Sequence, residues 1–238
     1  MILNADLSQI EWRMAAFLSQ DKAMITEINS GIDQHGAACT QLMKLPLTKM
    51  NRFHAKRFNF RMIYGGTEMG YFRDPTMPNF PLKQWKQIVV DFYTKYHGLK
   101  AWHDTIIKKV IDGDGTLSFF TGRTFKFSLF NGRYNEKQIK NWPVQGISGG
   151  DILPLTGVII YDAIERAKLK TKLLLTVHDS LVFKTPKKEV DVVADLCMKV
   201  MQNLPTYINN YWGVNFNVNL TGEVEVGPTY GNLKQIRG

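Results

Sequence analysis

The strand-forming segments of this 238-residue chain lie at its start, late in its length and at its end, with a long helical stretch between them. That order predicts a discontinuous α+β architecture with a largely helical insertion at about 20–130. Ile2–Ala5 reads as a short strand running into Asp6. Ser8-Gln9-Ile10-Glu11 then has the form of a capping box opening a helix to about Leu18. Helical patterns follow at 22–29, 35–43 and 49–64, the last stopped by Gly65-Gly66. Residues 72–80 read as a loop, 82–96 and 99–111 as helices, and 117–127 as a hairpin about Thr121-Gly122-Arg123. A helical stretch from Glu136 to Arg166 is expected to break at Pro143 and at Gly149-Gly150. A second hairpin spans 172–185 about His178-Asp179-Ser180. A helix at 187–201 and a strand at 221–226 finish the chain.

Composition narrows the class. At 44% apolar and 12% aromatic residues the chain is globular and not disordered. Thirty Lys and Arg against 21 Asp and Glu leave +9, which suggests a polyanionic partner, of which nucleic acid is the commonest. Cys39 and Cys197 have no metal-ligand or redox spacing and read as two buried thiols in a reducing compartment. No apolar run approaches the roughly 18 residues of a membrane span, and no signal-peptide pattern is visible, so a cytoplasmic, soluble protein is expected.

Three clusters suit chemistry, and each alone also has a structural explanation. Asp6, at a strand end before a helix, is rigidly held and suits a hard cation; the alternative is a helix-cap region with Glu11 serving Ser8. Arg52, Lys56, Phe60 and Tyr64 recur every four residues, so they step about 6 Å apart along one helical stripe. Two cations followed by two aromatics suit a polyphosphate at one end and a sugar and base at the other; the alternative is a solvated basic end and a buried aromatic end. Asp179 lies at the tip of an apolar hairpin, where His-Asp is also an ordinary turn.

In this order the clusters resemble motifs A, B and C of the DNA polymerase I-like (family A) polymerases. The matching residues are D-L-S-Q-I-E-W-R from Asp6 to Arg13, R-F-H-A-K-R-F-N-F-R-M-I-Y-G from Arg52 to Gly65, and V-H-D-S from Val177 to Ser180. Lesser matches are Asp33-Gln34-His35, Gly122-Arg123 and Asn141-Trp142-Pro143-Val144-Gln145-Gly146. The resemblance spans essentially the whole chain. It implies a palm with an antiparallel sheet at 1–20 (motif A) and 131–238 (motif C), and helical fingers at 21–130 carrying motif B.

It also implies template-directed DNA synthesis, with Asp6, the Leu7 carbonyl and Asp179 holding two Mg²⁺ ions. Arg52, Lys56 and His35 would bind the dNTP triphosphate, with Lys56 placed to protonate the leaving pyrophosphate. Phe60 would pack on the sugar, Tyr64 would close over the nascent pair, and Glu11 would exclude ribonucleotides. Arg13, Asn141, Gln145 and His178 would contact primer-template DNA. Two departures stand out: Leu7 where the family usually has Tyr, and Ser180 where it commonly has Glu. Single-subunit RNA polymerases also carry His-Asp-Ser, but Glu11 and Phe60 resemble the DNA-type sugar selection. A non-catalytic DNA-binding subunit is the other alternative.

The chain begins five residues before Asp6, which leaves no room for a thumb, the rest of the palm or an exonuclease domain. The chain is therefore expected to be either a truncated piece or one half of a split polymerase, in which a second polypeptide supplying thumb and N-terminal palm pairs along an exposed edge beside Ile2–Ala5.

Overall fold

Ile2–Leu7 (β1) is a nearly continuous buried strand, Leu3, Ala5 and Leu7 being almost fully enclosed. A computed structural model describing residues 1–238 shows why. β1 is the middle strand of a five-stranded antiparallel sheet of order β4-β5-β1-β6-β7. Its neighbours are β5 (Ser180–Lys184) and β6 (Gly222–Gly227); β4 (Lys172–Val177) and β7 (Lys234–Arg237) form the edges. The expectation of an exposed edge beside Ile2–Ala5 is thus overturned: residues from the far end of the chain pair with both sides of that strand.

The chain packs as two units, Met1–Met14 with Gln145–Gly238, and Ala15–Val144. The division falls inside continuous helices, α1 (Ile10–Ser19) and α8 (Glu136–Ile147). In the first unit α9 (Leu153–Arg166) and α10 (Val190–Trp212) cover the sheet, α10 against β1 and β6, α9 against β4 and β5. Gly157 permits the close approach of α9, since a side chain there would press on Leu181 of β5.

Two prolines lie inside helices, and one of them, Pro143, was expected to interrupt its own. A π-helical segment, Ser148–Ile152, joins α8 to α9 without a break at Pro143 or Gly149-Gly150. α10 passes Pro205 and ends only at Gly213, in the left-handed region at φ 66°. A helix interior proline costs about 3 kcal/mol. Burial of Leu204 and Ile208 beside Pro205, and of Ile139, Val144 and Ile147 beside Pro143, offsets it. The unbroken run 136–166 also corrects the reading of apolar length, because it is long and apolar enough to cross a membrane by length and composition. Its buried residues Ile160 and Ile164 lie in the core of the first unit.

In the second unit, α2 (Lys22–Asn29), α3 (Gln34–Ala37), α4 (Lys49–Met62), α5 (Glu68–Phe72), α6 (Leu82–Lys95) and α7 (His97–Asp112) precede a small hairpin, β2 (Thr116–Ser118) and β3 (Thr124–Lys126). α5 lies just ahead of the expected loop, capped by Thr67, whose hydroxyl accepts from the Gly70 amide. The core is aromatic: Phe58 of α4, Tyr71 of α5, and Trp85 and Phe92 of α6 meet at centroid distances of 5.0–6.2 Å. Fully buried Asp21 caps α2 and also accepts from the Leu99 amide of α7 at 3.0 Å, joining two helices through one carboxylate.

Candidate active site

At the centre of the first unit the sheet brings two distant carboxylates together. β4 and β5 are joined by the two-residue turn His178-Asp179, with Val177 opposite Ser180. His178 has φ 54°, a left-handed conformation that costs a side-chain-bearing residue about 1–2 kcal/mol. Pairing on both sides of the turn holds it there, and the Leu7 amide donates to the Asp179 carbonyl at 3.0 Å. That bond ties the tip of the hairpin to the end of β1, so Asp179 stands beside Asp6.

The electrostatic consequence is large. Burial pushes the Asp6 carboxyl up to about 7, with added contributions from the charge of Asp179, a hydrogen bond to it, and the charges of Glu223 and Glu225. A cation between the two carboxylates would reverse that shift. Side chains alone gather no cluster of three or more ligands. Two carboxylates plus a backbone carbonyl nevertheless fit Mg²⁺, which usually takes one or two carboxylates and completes its octahedron with water and substrate phosphates.

Ser180 lies directly across from Asp6 on one side, and its hydroxyl donates back to the Val177 carbonyl at 3.0 Å. Glu223 lies across from Asp6 on the other side. Sequence reading missed Glu223; its only local signal is the alternation of Glu223 and Glu225 along β6, which sets both on one face.

In the second unit, α4 presents its two faces as chemically distinct surfaces. Ala55, Phe58, Asn59 and Met62 are buried, while Arg52 and Lys56 are exposed and Phe60 and Tyr64 half-buried. The rings of Phe60 and Tyr64 meet edge-on at 6.5 Å. A recess of about 490 Å³ lies over Phe53, Lys56, Arg57, Phe60 and Arg61. A second cavity, about 330 Å³, is walled by Arg61, Tyr64, Gly65, Gly66, Gln138 and Asn141, so Tyr64 and Asn141 share one space.

Other expected site residues sit in tighter surroundings than their motifs suggest. Arg52 makes a two-pronged ion pair with Asp33, Nε to Oδ2 at 2.7 Å and Nη2 to Oδ1 at 2.9 Å. His35 is buried, and burial together with the charges of Arg52 and Lys56 pushes its imidazole down to about 4, against an opposing pull from Asp33. Arg13 donates to the Ser8 and Asn219 carbonyls and to the Thr221 hydroxyl, bracing the approach to β6. Glu11 is half-buried in the first turn of α1, and the Arg13 amide donates to the Gln9 carbonyl at 3.1 Å. Gln145 and His178 are exposed, and Gly149 of the π-helical segment lies close to the His178 carbonyl.

The model of DNA polymerase family A matches residues 1–232. Among its relatives are the DNA polymerase I of Caldicellulosiruptor bescii, 28% identical over 85% of this chain and 24% of that protein, and of Aquifex aeolicus, 30% identical over 83% and 34%. The Geobacillus stearothermophilus DNA polymerase I is 25% identical over 98% of this chain and 26% of its own length. This chain thus spans a quarter to a third of the length of these relatives. A solved structure, the POL domain of Pol1 from M. smegmatis in complex with DNA primer-template and dNTP, has the same fold at TM-score 0.79. It is 24% identical over 96% of this chain and 39% of its own. With the family model matching nearly its whole length, the chain belongs to DNA polymerase family A.

Proposed function

We propose that this chain carries the nucleotidyl-transfer centre of a template-directed DNA polymerase, with 1–20 and 131–238 as palm and 21–130 as fingers. The observation that carries the reading is the Asp6–Asp179 pair, a carboxylate at the end of the central strand beside one in the β4–β5 turn, whose mutual repulsion a bound cation would relieve. Asp6, the Leu7 carbonyl and Asp179 would hold two Mg²⁺ ions, which when bound neutralise triphosphate charge and favour the ionised primer hydroxyl. Arg52 and Lys56 present two exposed cations one helical turn apart, a spacing suited to successive phosphates. Lys56 is the proton donor available to the departing pyrophosphate. Phe60 offers a flat apolar face to the sugar, and Tyr64, beside the cavity it shares with Asn141, closes on the base. Glu11 occupies the place from which a 2′-hydroxyl is refused. Arg13, Asn141, Gln145 and His178 bear on the primer-template. A second polypeptide, or a longer version of this one, supplies thumb and remaining palm, and a cytoplasmic location goes with this reading.

Primer extension on a recessed primer-template with Mg²⁺ and dNTPs tests it, run on the chain alone and with the complementary part of the polymerase added. Synthesis that disappears with Asp179→Ala supports the assignment. A folded chain that binds DNA but extends nothing in either setting would instead be a DNA-binding subunit.

A further inference from the structure

The buried face of α4 carries one amide among its apolar residues. Asn59 is completely enclosed, and its Nδ2 lies 3.1 Å from the Gln34 carbonyl oxygen and 3.1 Å from Nδ1 of His35. A carbonyl oxygen only accepts, so the amide atom facing Gln34 is the nitrogen; the flipped amide would set two acceptors against each other. One N–H of Asn59 goes to Gln34 and the other to His35, so Nδ1 of His35 must present its lone pair. The ring proton of neutral His35 therefore sits on Nε2.

That Nε2 N–H has no acceptor in the protein, although His35 is only 2% exposed. Oδ1 of Asn59 is likewise without a partner in the protein, and since an unsatisfied buried donor costs on the order of 1–3 kcal/mol, an acceptor reaching Nε2 is favoured. Protonating Nδ1 would turn it against the Asn59 N–H, and Arg52 and Lys56 also oppose a further positive charge. Asp33, next to this pocket, opposes them, but its carboxylate is already committed to Arg52. The Asp33–Arg52 pair is 44% exposed on both sides, and ion pairs of that kind are worth about 1 kcal/mol or less, so Arg52 exchanges one anion for another at little cost.

We propose that Asn59 is a positioning residue that locks His35 as the Nε2–H tautomer, so that His35 meets an incoming triphosphate as a neutral hydrogen-bond donor while Arg52 and Lys56 carry the charge. This rests on the reading of α4 as a triphosphate site. A neutral donor gives direction without a third cation, which leaves the pyrophosphate product easier to release. It also assigns a task to a polar side chain on the buried stripe formed by Ala55, Phe58 and Met62.

The test is the imidazole two-bond ¹H–¹⁵N spectrum of the ¹⁵N-labelled chain, with His35 assigned by its disappearance in His35→Gln. The expected pattern at neutral pH is an unprotonated Nδ1 and a protonated Nε2, with no titration down to pH 5. An Nδ1–H ring, or a ring titrating near its ordinary value of 6.5, overturns the proposal. Inorganic tripolyphosphate is then added, with binding followed by calorimetry. A shift of the Nε2 proton supports the proposal. Binding heat with His35 unmoved overturns it while leaving the triphosphate reading intact, and no heat at all overturns that reading and the proposal with it. Asn59→Asp, which places an acceptor against Nδ1, is expected to make the ring doubly protonated near neutrality; an unchanged tautomer in the folded variant overturns the assignment.

Discussion

The two units handle charge in opposite ways. In the first, Asp6 of β1, Glu223 of β6 and Asp179 of the β4–β5 turn converge, and burial and mutual repulsion drive Asp6 toward its protonated form. In the second, cations stand exposed on one helix while His35 and His103 are buried and held neutral, each down to about 4 chiefly by burial. The first unit therefore stores a repulsion that a cation relieves, and the second keeps histidine charge out of its interior. The carboxylate site needs long-range strand pairing to exist at all. The α4 stripe exists as soon as one helix forms. On the proposed function, metal binding would fall to the part that cannot form piecemeal and phosphate binding to the part that can.

The largest effect expected from breaking this contrast is on synthesis. Asp179→Ala should lower primer extension by on the order of 10³-fold or more, the scale of removing one electrostatic stabiliser. Its thermal midpoint should not fall, because a destabilising like charge beside Asp6 has gone. A retained rate would separate the carboxylate pair from catalysis.

Next is a packing change confined to the second unit. Phe58→Ala removes the ring that meets Tyr71, Trp85 and Phe92 and should cost about 3–5 kcal/mol in denaturant unfolding. Hydrogen exchange should show lost protection within 15–144 and strands β1, β5 and β6 still protected. Equal loss in both would mean that the units do not open separately.

The third separates the units by pH, in metal-free buffer. Asp6 is raised from 3.8 to about 7, so its contribution is present below the unfolded value and lost as pH rises through 7. His35 and His103 are lowered from 6.5 to about 4, so theirs is present above 6.5 and lost as pH falls through 4. Exchange protection in the sheet should weaken from pH 4 to 7, and in α3, α4 and α7 from pH 6.5 to 4. Asp6→Asn should flatten the first slope only.

Smaller changes sharpen the assignment of individual residues. Glu11→Ala should raise ribonucleotide incorporation about tenfold or more, read from competition between rNTP and dNTP. The unmodified chain should discriminate against dideoxynucleotides through Phe60. Asp33→Asn keeps the cap on α3 but weakens the hold on Arg52, so it should change stability by no more than about 1 kcal/mol. A larger loss would mark the pair as structural and weaken the case that Arg52 is free to exchange.

Much of the architecture was legible because it is local. Residues at helical spacing located α4, α6 and α7, and an apolar-polar-apolar run located the hairpin carrying Asp179. Strand and helix geometry singled out Asp6 and the Arg52–Tyr64 stripe, and the resemblance to the family motifs set them above their structural alternatives. Proline, read locally, misled at 143, because the burial that offsets the lost hydrogen bond comes from residues the local window does not show as buried.

By itself, then, the sequence determined which segments form helix or strand and which side chains share a helical face, since both follow from periods of 3.6 and 2 residues. Tertiary structure alone decided that β1 is central, that Glu223 faces Asp6, that Arg52 rests on Asp33 and that Asn59 sets the proton on His35. Each of those depends on register or burial between residues well separated along the chain, and only the packed fold supplies that information.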